Sequence, residues 1–313
     1  MRPHILLTLP MDAPVLEQAL DEAYHVHRLH LAPDPEVLLA SVAPRIRAVV
    51  TTGAGGVGNA IVDALPALEL IAIRGVGTDR VDLEHARQLG LRVTTTPDVL
   101  SEDVADLALG LLLATSRAIC VGDAFVRAGK WPGQSLPLAH RVGGKRAGIL
   151  GLGSIGRAIA RRASGFGMSV AYTGRRPHEG VPYPYVANLV DLASTSDVLF
   201  VAASGNPGTR GIVNAEVLDA LGPEGILVNI ARGSLVDESA LVAALGSGRI
   251  LGAGLDVFQN EPHVPAALLA MANVVLQPHQ GSATGECRLD MGALVLENLA
   301  AHFAGQPLPT PVV

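Results

Sequence analysis

Residues 146–167 read RAGILGLGSIGRAIARRASGFG. A short apolar run, Ala147–Leu150, leads into Gly151-Leu152-Gly153-Ser154-Ile155-Gly156, and a helical stretch follows. A G-x-G-x-x-G pattern between a strand and a helix is the context that marks a dinucleotide-binding fold. The first glycine permits the tight turn, the second lets the backbone approach a pyrophosphate, and the third lets helix and strand pack closely. The helix N-terminus, with Ser154 and Ile155 in its first turn, faces the anion. The competing reading is a glycine-rich turn without a ligand; the flanking strand and helix speak against it.

About twenty residues further on, such folds carry an acid after the second strand, which binds the ribose hydroxyls of NAD. Residues 171–177 read AYTGRRP, so Gly174 stands in that place and Arg175 and Arg176 follow it. An acid there would repel a 2′-phosphate, whereas two guanidinium groups can pair with one through charge-assisted bonds. The segment therefore predicts NADPH, with NADH less favoured. The plain alternative is a loop bearing two solvated arginines.

Around this stretch the chain alternates short β-like runs with helical ones. RAGILGLG, SVAYTG, DVLFVAAS, GILVNIAR, GAGLDVF and NVVLQPH give six strands between 146 and 279, the size of one complete dinucleotide-binding domain. Upstream, HILLTLP (4–10), IRAVVTTGAGG (46–56), LELIAIRGVGTD (68–79) and LRVTTTPDV (91–99) give four more. Strands alternating with helices read as βαβ units and parallel sheets. A helix is predicted over 101–119, with Ser101 as N-cap and Glu102 and Asp103 in its first turn. The Gly- and Pro-punctuated stretch 128–145 reads as a connecting arm. From about 284 the tail reads as a helix through Phe303, expected to return to the first domain.

A chain of 313 residues suits about two domains. It is 49% hydrophobic and 17% charged, which supports a buried core over disorder. A net charge of −6 without basic runs argues against nucleic acid or an anionic membrane as the main partner. Cys120 and Cys287 give no disulfide framework. The N-terminal stretch lacks a signal-peptide pattern. The longest helical apolar run, Leu107–Ala114, falls short of a membrane span. A soluble, cytoplasmic protein is the expectation.

Three polar residues recur at three strand ends. Arg232 follows the strand in VNIARG, Glu261 lies just beyond the next in LDVFQNEP, and His279 ends the last in VVLQPHQGSAT. In a parallel sheet these positions share the carboxyl edge, where ligands bind. Each alone has an ordinary explanation, as a surface pair, a loop acid or a hydrogen-bonded loop histidine. Together they make coherent chemistry. Hydride transfer to a ketone leaves an oxygen that needs a proton, which a histidine supplies, and a neighbouring carboxylate favours the imidazolium. An arginine holds a 2-oxo acid carboxylate and polarises its carbonyl. Gly75-Val76-Gly77, at a strand end of the first domain, offers backbone N–H groups to the same carboxylate, or is a plain turn. No metal site is indicated.

With these residues in view the whole chain resembles the D-isomer-specific 2-hydroxyacid dehydrogenase family. GILGLGSIGRAIARRASGFGMSV, LVNIARGSLVDESALVAAL, GAGLDVFQNEP and NVVLQPHQGSAT carry the likeness in order and spacing. The resemblance implies an α/β protein of two Rossmann-like or flavodoxin-like domains with parallel sheets and the active site in the interdomain cleft. Residues 1–98, completed by 285–313, would form the substrate domain, and 99–284 the nucleotide domain. A homodimer built on the nucleotide domain is also implied. By motif match Arg232 binds substrate, and Glu261 pairs with His279, the proton donor and acceptor. Val76 and Gly77 hold the carboxylate. Asp256, Ser204, Ile230 and Ala231 line the cofactor, and Gly281 and Ser282 follow the histidine at the site's mouth. AYTGRRP, NEPHVP and the ending TPVV are most similar to the NADPH-dependent glyoxylate/hydroxypyruvate reductases and their hydroxyphenylpyruvate-reducing relatives. The stretch AASGNPGTRG (202–211) departs from the family pattern and puts the contacts near Ser204–Thr209 in question. Trp131 either reaches a substrate pocket, its own or the neighbour's, or is buried at a dimer interface.

The leading expectation is reduction of small 2-oxo acids to D-2-hydroxy acids. A bulkier 2-oxo acid such as hydroxyphenylpyruvate is the alternative substrate. A 3-phosphoglycerate dehydrogenase often carries a regulatory domain, for which the chain has no room. In a formate dehydrogenase a glutamine-type residue replaces the histidine's acid, against Glu261. A dinucleotide-sensing corepressor of the same fold is the alternative of another class, and turnover separates it from an enzyme.

Overall fold

The computed structural model describes residues 2–313. The chain divides into two compact units: one runs up to Leu100 and resumes at Ala283–Val313, the other is Ser101–Ser282.

The first unit alternates β1 (His4–Leu7), α1 (Pro14–Ala23), β2 (His25–Arg28), α2 (Pro35–Val42), β3 (Ile46–Thr52), α3 (Asn59–Asp63), β4 (Leu70–Arg74), α4 (Leu83–Gln88) and β5 (Arg92–Thr94). The strands form a parallel sheet in the order β2-β1-β3-β4-β5. Near-continuous apolar runs such as Leu70–Ile73 suit strands covered on both faces. One face packs Leu6, Val49, Ile71 and Ile73 against α2, α3 and α4. The other packs Ile5, Leu7, Val50 and Ala72 against α1 and the tail. Asp34 and Asp82 cap α2 and α4 by accepting N–H groups of the first turn.

The sequence reading has four strands here; the structure has five. β2 reads HVHR, without an apolar run, and owes its place to pairing with β1 and to its flanks. Arg28 bonds Glu17 and Asp21 of α1, and His27 bonds His4 of β1.

The second unit opens with α5 (Ser101–Ser116) and α6 (Ile119–Arg127). The single helix expected over 101–119 is broken, with Ala118 in the left-handed region at φ +50°. Ser101, expected as the N-cap, is the first helical residue and is buried. Then come β6 (Arg146–Leu150), α7 (Ser154–Gly165), β7 (Ser169–Thr173), α8 (Leu189–Ser194), β8 (Val198–Val201), α9 (Ala215–Leu221), β9 (Ile226–Asn229), α10 (Glu238–Gly246), β10 (Gly252–Leu255), α11 (Ala266–Leu269) and β11 (Val274–Leu276). These are the six strands expected. They form a parallel sheet ordered β11-β10-β9-β8-β6-β7. Beyond β7, Tyr185 makes a parallel bridge to Tyr172, a remnant of a further edge strand. The long helix α12 (Gly285–Phe303), capped by Thr284, belongs to the first unit, where Val295 and Leu299 join its core. No single helix among the described residues is long and apolar enough to cross a membrane.

In both sheets the first strand lies between the second and the third, so neighbouring connections leave in opposite directions. That switch point opens a crevice at the carboxyl edge, between β1 and β3 in one unit and between β6 and β8 in the other.

Candidate active site

At the switch point of the second unit lies the glycine fingerprint. Gly151 has φ +95°, and a Cβ there would come within 2.7 Å of the Ala203 backbone. A Cβ on Gly156 would lie 2.0 Å from the Gly151 carbonyl oxygen. Side chains at these two positions would break the turn. Gly153 and Ser154 are exposed, with open space beside Gly153. Ile155 is half-buried at the start of α7. Gly153 puts no side-chain cap on the helix N-terminus, which fits a pyrophosphate.

Gly174 follows β7, and Arg175 and Arg176 are both exposed. Neither guanidinium has a partner among the described residues. Two tyrosines pin their loop: the Tyr185 hydroxyl donates to the Gly174 carbonyl at 3.0 Å, and the His178 N–H donates to the Tyr172 hydroxyl at 2.7 Å. Those anchors escaped the sequence reading.

After β8, the Ser204 carbonyl accepts from the Thr209 hydroxyl at 3.0 Å, and Asn206 and Thr209 close a capping box. The departure in AASGNPGTRG is therefore an ordered turn. After β9, Ile230 and Ala231 are buried. Asn229, 1% exposed, accepts from the Ala231 N–H at 3.1 Å and donates to the Arg232 carbonyl at 3.0 Å. It shapes the turn that presents Arg232, and sequence reasoning passed over it. The Arg232 guanidinium bonds the Ala231 carbonyl at 2.7 Å.

Glu261 and His279 meet. His279 Nδ1 lies 2.8 Å from Glu261 Oε2, and the Phe258 N–H donates to Glu261 Oε1 at 3.0 Å. Burial pushes the Glu261 carboxyl up. The bonds from His279 and Phe258, with the charges of His279 and Arg232, outweigh it and hold the group below its ordinary value. Glu261 is thus an anion at neutral pH, and Arg232, Glu261 and His279 form one electrostatic group.

Asp256 anchors the turn behind the histidine. Its carboxylate, 1% exposed, accepts the Gln280 N–H at 2.6 Å and the Gly281 N–H at 2.8 Å, while its carbonyl accepts the His279 N–H at 2.8 Å. It holds the turn on which His279 sits at φ +56°. Burial pushes its carboxyl up to about 6, against the two N–H bonds. Gly281 is buried beneath this turn, and Ser282 is half-buried at the end of the unit.

In the first unit, Val76 and Gly77 follow β4. The Gly75 N–H is spent on the Thr96 hydroxyl at 2.8 Å, which narrows the expected GVG cradle to the next two residues. The N–H groups of Val76 and Gly77 find no acceptor among the described residues. Gly53 packs against this turn, where a Cβ would lie 3.1 Å from the Gly77 carbonyl oxygen.

A parallel sheet, a glycine cradle at its switch point and an Arg–Glu–His group on the same sheet edge define a nicotinamide-dinucleotide oxidoreductase. Residues 109–281 match the family described as D-isomer specific 2-hydroxyacid dehydrogenase, NAD binding domain. The chain belongs to that family. It is 49% identical to a hydroxyphenylpyruvate reductase of Plectranthus scutellarioides, over 99% of this chain and 98% of the relative. It is 47% identical to glyoxylate/hydroxypyruvate reductase A HPR2 of Arabidopsis thaliana, over 99% and 98%. The NADPH-dependent glyoxylate/hydroxypyruvate reductase of Sinorhizobium meliloti, solved with NADP and malonate, superposes with a TM-score of 0.92 at 42% identity, covering 100% of this chain and 97% of that one.

Proposed function

We propose that the protein reduces short 2-oxo acids such as hydroxypyruvate and glyoxylate to D-2-hydroxy acids, with NADPH preferred over NADH. The observation that carries this is the His279–Glu261 pair at 2.8 Å beside Arg232. With Nδ1–H given to an ionised carboxylate, His279 presents Nε2 to the substrate, and that nitrogen hands over the proton. The Glu261 carboxylate fixes the orientation of the imidazole before transfer. Arg232 holds the substrate carboxylate and polarises the carbonyl, and in the first unit the unspent N–H groups of Val76 and Gly77 are suited to a carboxylate. The first unit thereby serves as the substrate domain. The bound dinucleotide supplies the hydride. Gly151, Gly153, Ser154, Ile155 and Gly156 seat its pyrophosphate, and Arg175 and Arg176 pair with its 2′-phosphate. Ser204, Ile230 and Ala231 line its path, with Asp256, Gly281 and Ser282 around the nicotinamide end.

A homodimer built on the second unit accords with its exposed apolar groups. Trp131 is 70% exposed and Leu138 98% in the arm, and Ile119 and Val126 are exposed on α6. A cytoplasmic setting accords with Cys120 and Cys287, which are not joined in a disulfide. The 49% identity to a hydroxyphenylpyruvate reductase makes that bulkier acid the second substrate to assay. The deciding experiment is kcat/KM for hydroxypyruvate with NADPH and with NADH. A strong NADPH preference supports both halves of the proposal. A preference for NADH discards the role of the two arginines, and no turnover with any 2-oxo acid favours a binding protein.

A further inference from the structure

The carboxyl edge of the first sheet holds a charge cluster that the proposed reaction does not use. Arg74, the last residue of β4, has a side chain only 4% exposed. Its guanidinium donates to the Met11 carbonyl and, at 2.7 Å, to Asp12, while its buried Nε has no partner. Arg288, on the first turns of α12, points at the same carboxylate, with Nε 3.8 Å from Asp12 Oδ2. That is an ion pair without a hydrogen bond, and the Arg288 guanidinium makes no hydrogen bond among the described residues. Burial, then the nearby Arg74 charge, pull the Arg288 guanidinium below its ordinary value. Two partly buried arginines therefore share one aspartate. A guanidinium carries five donors, and a partly buried one normally spends several of them. Here one cation is left over, at the edge where a parallel sheet binds ligands.

We propose that Arg288, backed by Arg74, forms an anion subsite for the tail of the substrate, most simply the second carboxylate of a short 2-oxo diacid. The inference rests on the reading that the first unit holds the 2-oxo acid, with its head carboxylate on Val76 and Gly77 one turn beyond Arg74. Asp12 is the internal competitor: it half-neutralises the arginines when the tail is uncharged and yields Arg288 when an oxyanion arrives. The arrangement thus selects tail charge without disturbing the chemistry at the head.

The test compares oxaloacetate with 4-methyl-2-oxopentanoate, whose tails are similar in shape but differ in charge. Arg288→Met is expected to lower kcat/KM for oxaloacetate roughly 10- to 100-fold, the worth of one charge-assisted bond, through KM alone. The branched substrate should be unaffected, and Arg288→Lys should restore part of the loss. Asp12→Asn is expected to act in the opposite direction, lowering KM for oxaloacetate only, and it probes the subsite even if Arg288→Met folds poorly. Equal effects on both substrates, no effect, or a wild type that turns over the branched acid but not oxaloacetate would overturn the subsite. If no 2-oxo acid is turned over, the proposed reaction fails, and the subsite is judged by thermal shift with malonate. A larger rise in Tm for wild type than for Arg288→Met supports it, and equal rises overturn it.

Discussion

The two units share a topology and differ in what they put at its switch point. In each, the first strand sits between the second and third, and its carboxyl end turns into a helix. In the second unit that turn is Gly151–Gly156, with glycine where a Cβ would strike backbone and an open helix N-terminus. In the first it is TLPMDAP (8–14), with side chains throughout and Asp12 near the start of α1. An acid there repels a pyrophosphate, and the prolines spend no N–H groups on it. The same wrapping of chain therefore binds a dinucleotide in one unit and not in the other. The division extends along the edges. The second sheet offers side chains, Arg232, Glu261 and His279; the first offers bare backbone at Val76 and Gly77 beside the Arg74–Asp12–Arg288 cluster. Topology supplies a crevice, and the residues on its rim decide what enters.

The contrast breaks most easily at His279. His279→Ala is expected to lower turnover by about 10²–10⁴ with Tm unchanged, the usual cost of a lost general acid. Retained turnover would deny that the second edge works through side chains.

Asp256 gives a pH signature opposite in sign to that of His4 and His27 in the first unit, whose imidazoles burial holds below their ordinary value. Unfolded, its carboxyl releases its proton near the ordinary 3.8; folded, it holds the proton up to about 6. Between those values the folded state binds more protons, so stability present at low pH is lost as pH rises. The loss is about 3 kcal/mol, and Asp256→Ala should flatten that part of the stability curve. The same variant should also lower kcat, because the turn bearing His279 loses its anchor. An unaltered pH profile would remove the buried charge from the account.

Arg175→Ala is expected to raise KM for NADPH about tenfold and to leave NADH nearly unchanged. Equal effects on both would return the arginines to the solvent. The smallest change falls on the first unit. Thr96→Val leaves the Gly75 N–H unpaired, which should cost about 1 kcal/mol of stability and raise KM for the 2-oxo acid but not for the cofactor. A cofactor effect would mean that the two edges do not divide the work.

Much of this was legible in the chain because it is locally encoded. The fingerprint is six consecutive residues whose geometry only glycine permits at Gly151 and Gly156. The six strands of the second unit are apolar runs, since a parallel sheet is covered on both faces. Other features were not local. β2 has no hydrophobic signature and is held by Arg28 and His27 reaching other elements. The break before α6 is a single left-handed residue, Ala118, in an otherwise helical pattern. Asn229, Tyr172 and Tyr185 look like ordinary strand and loop residues until their backbone partners are seen.

The sequence alone determined the class of fold, the place of the glycine turn and the residues of the Arg–Glu–His group, because strand periodicity, glycine spacing and residue chemistry are properties of short segments. The tertiary structure alone decided that Glu261 and His279 touch, that the Asp256 carboxylate serves the turn behind the histidine, and that Asp12 must be shared by Arg74 and Arg288. Charge and hydrogen bonding act over a few ångströms in space, whatever the separation along the chain.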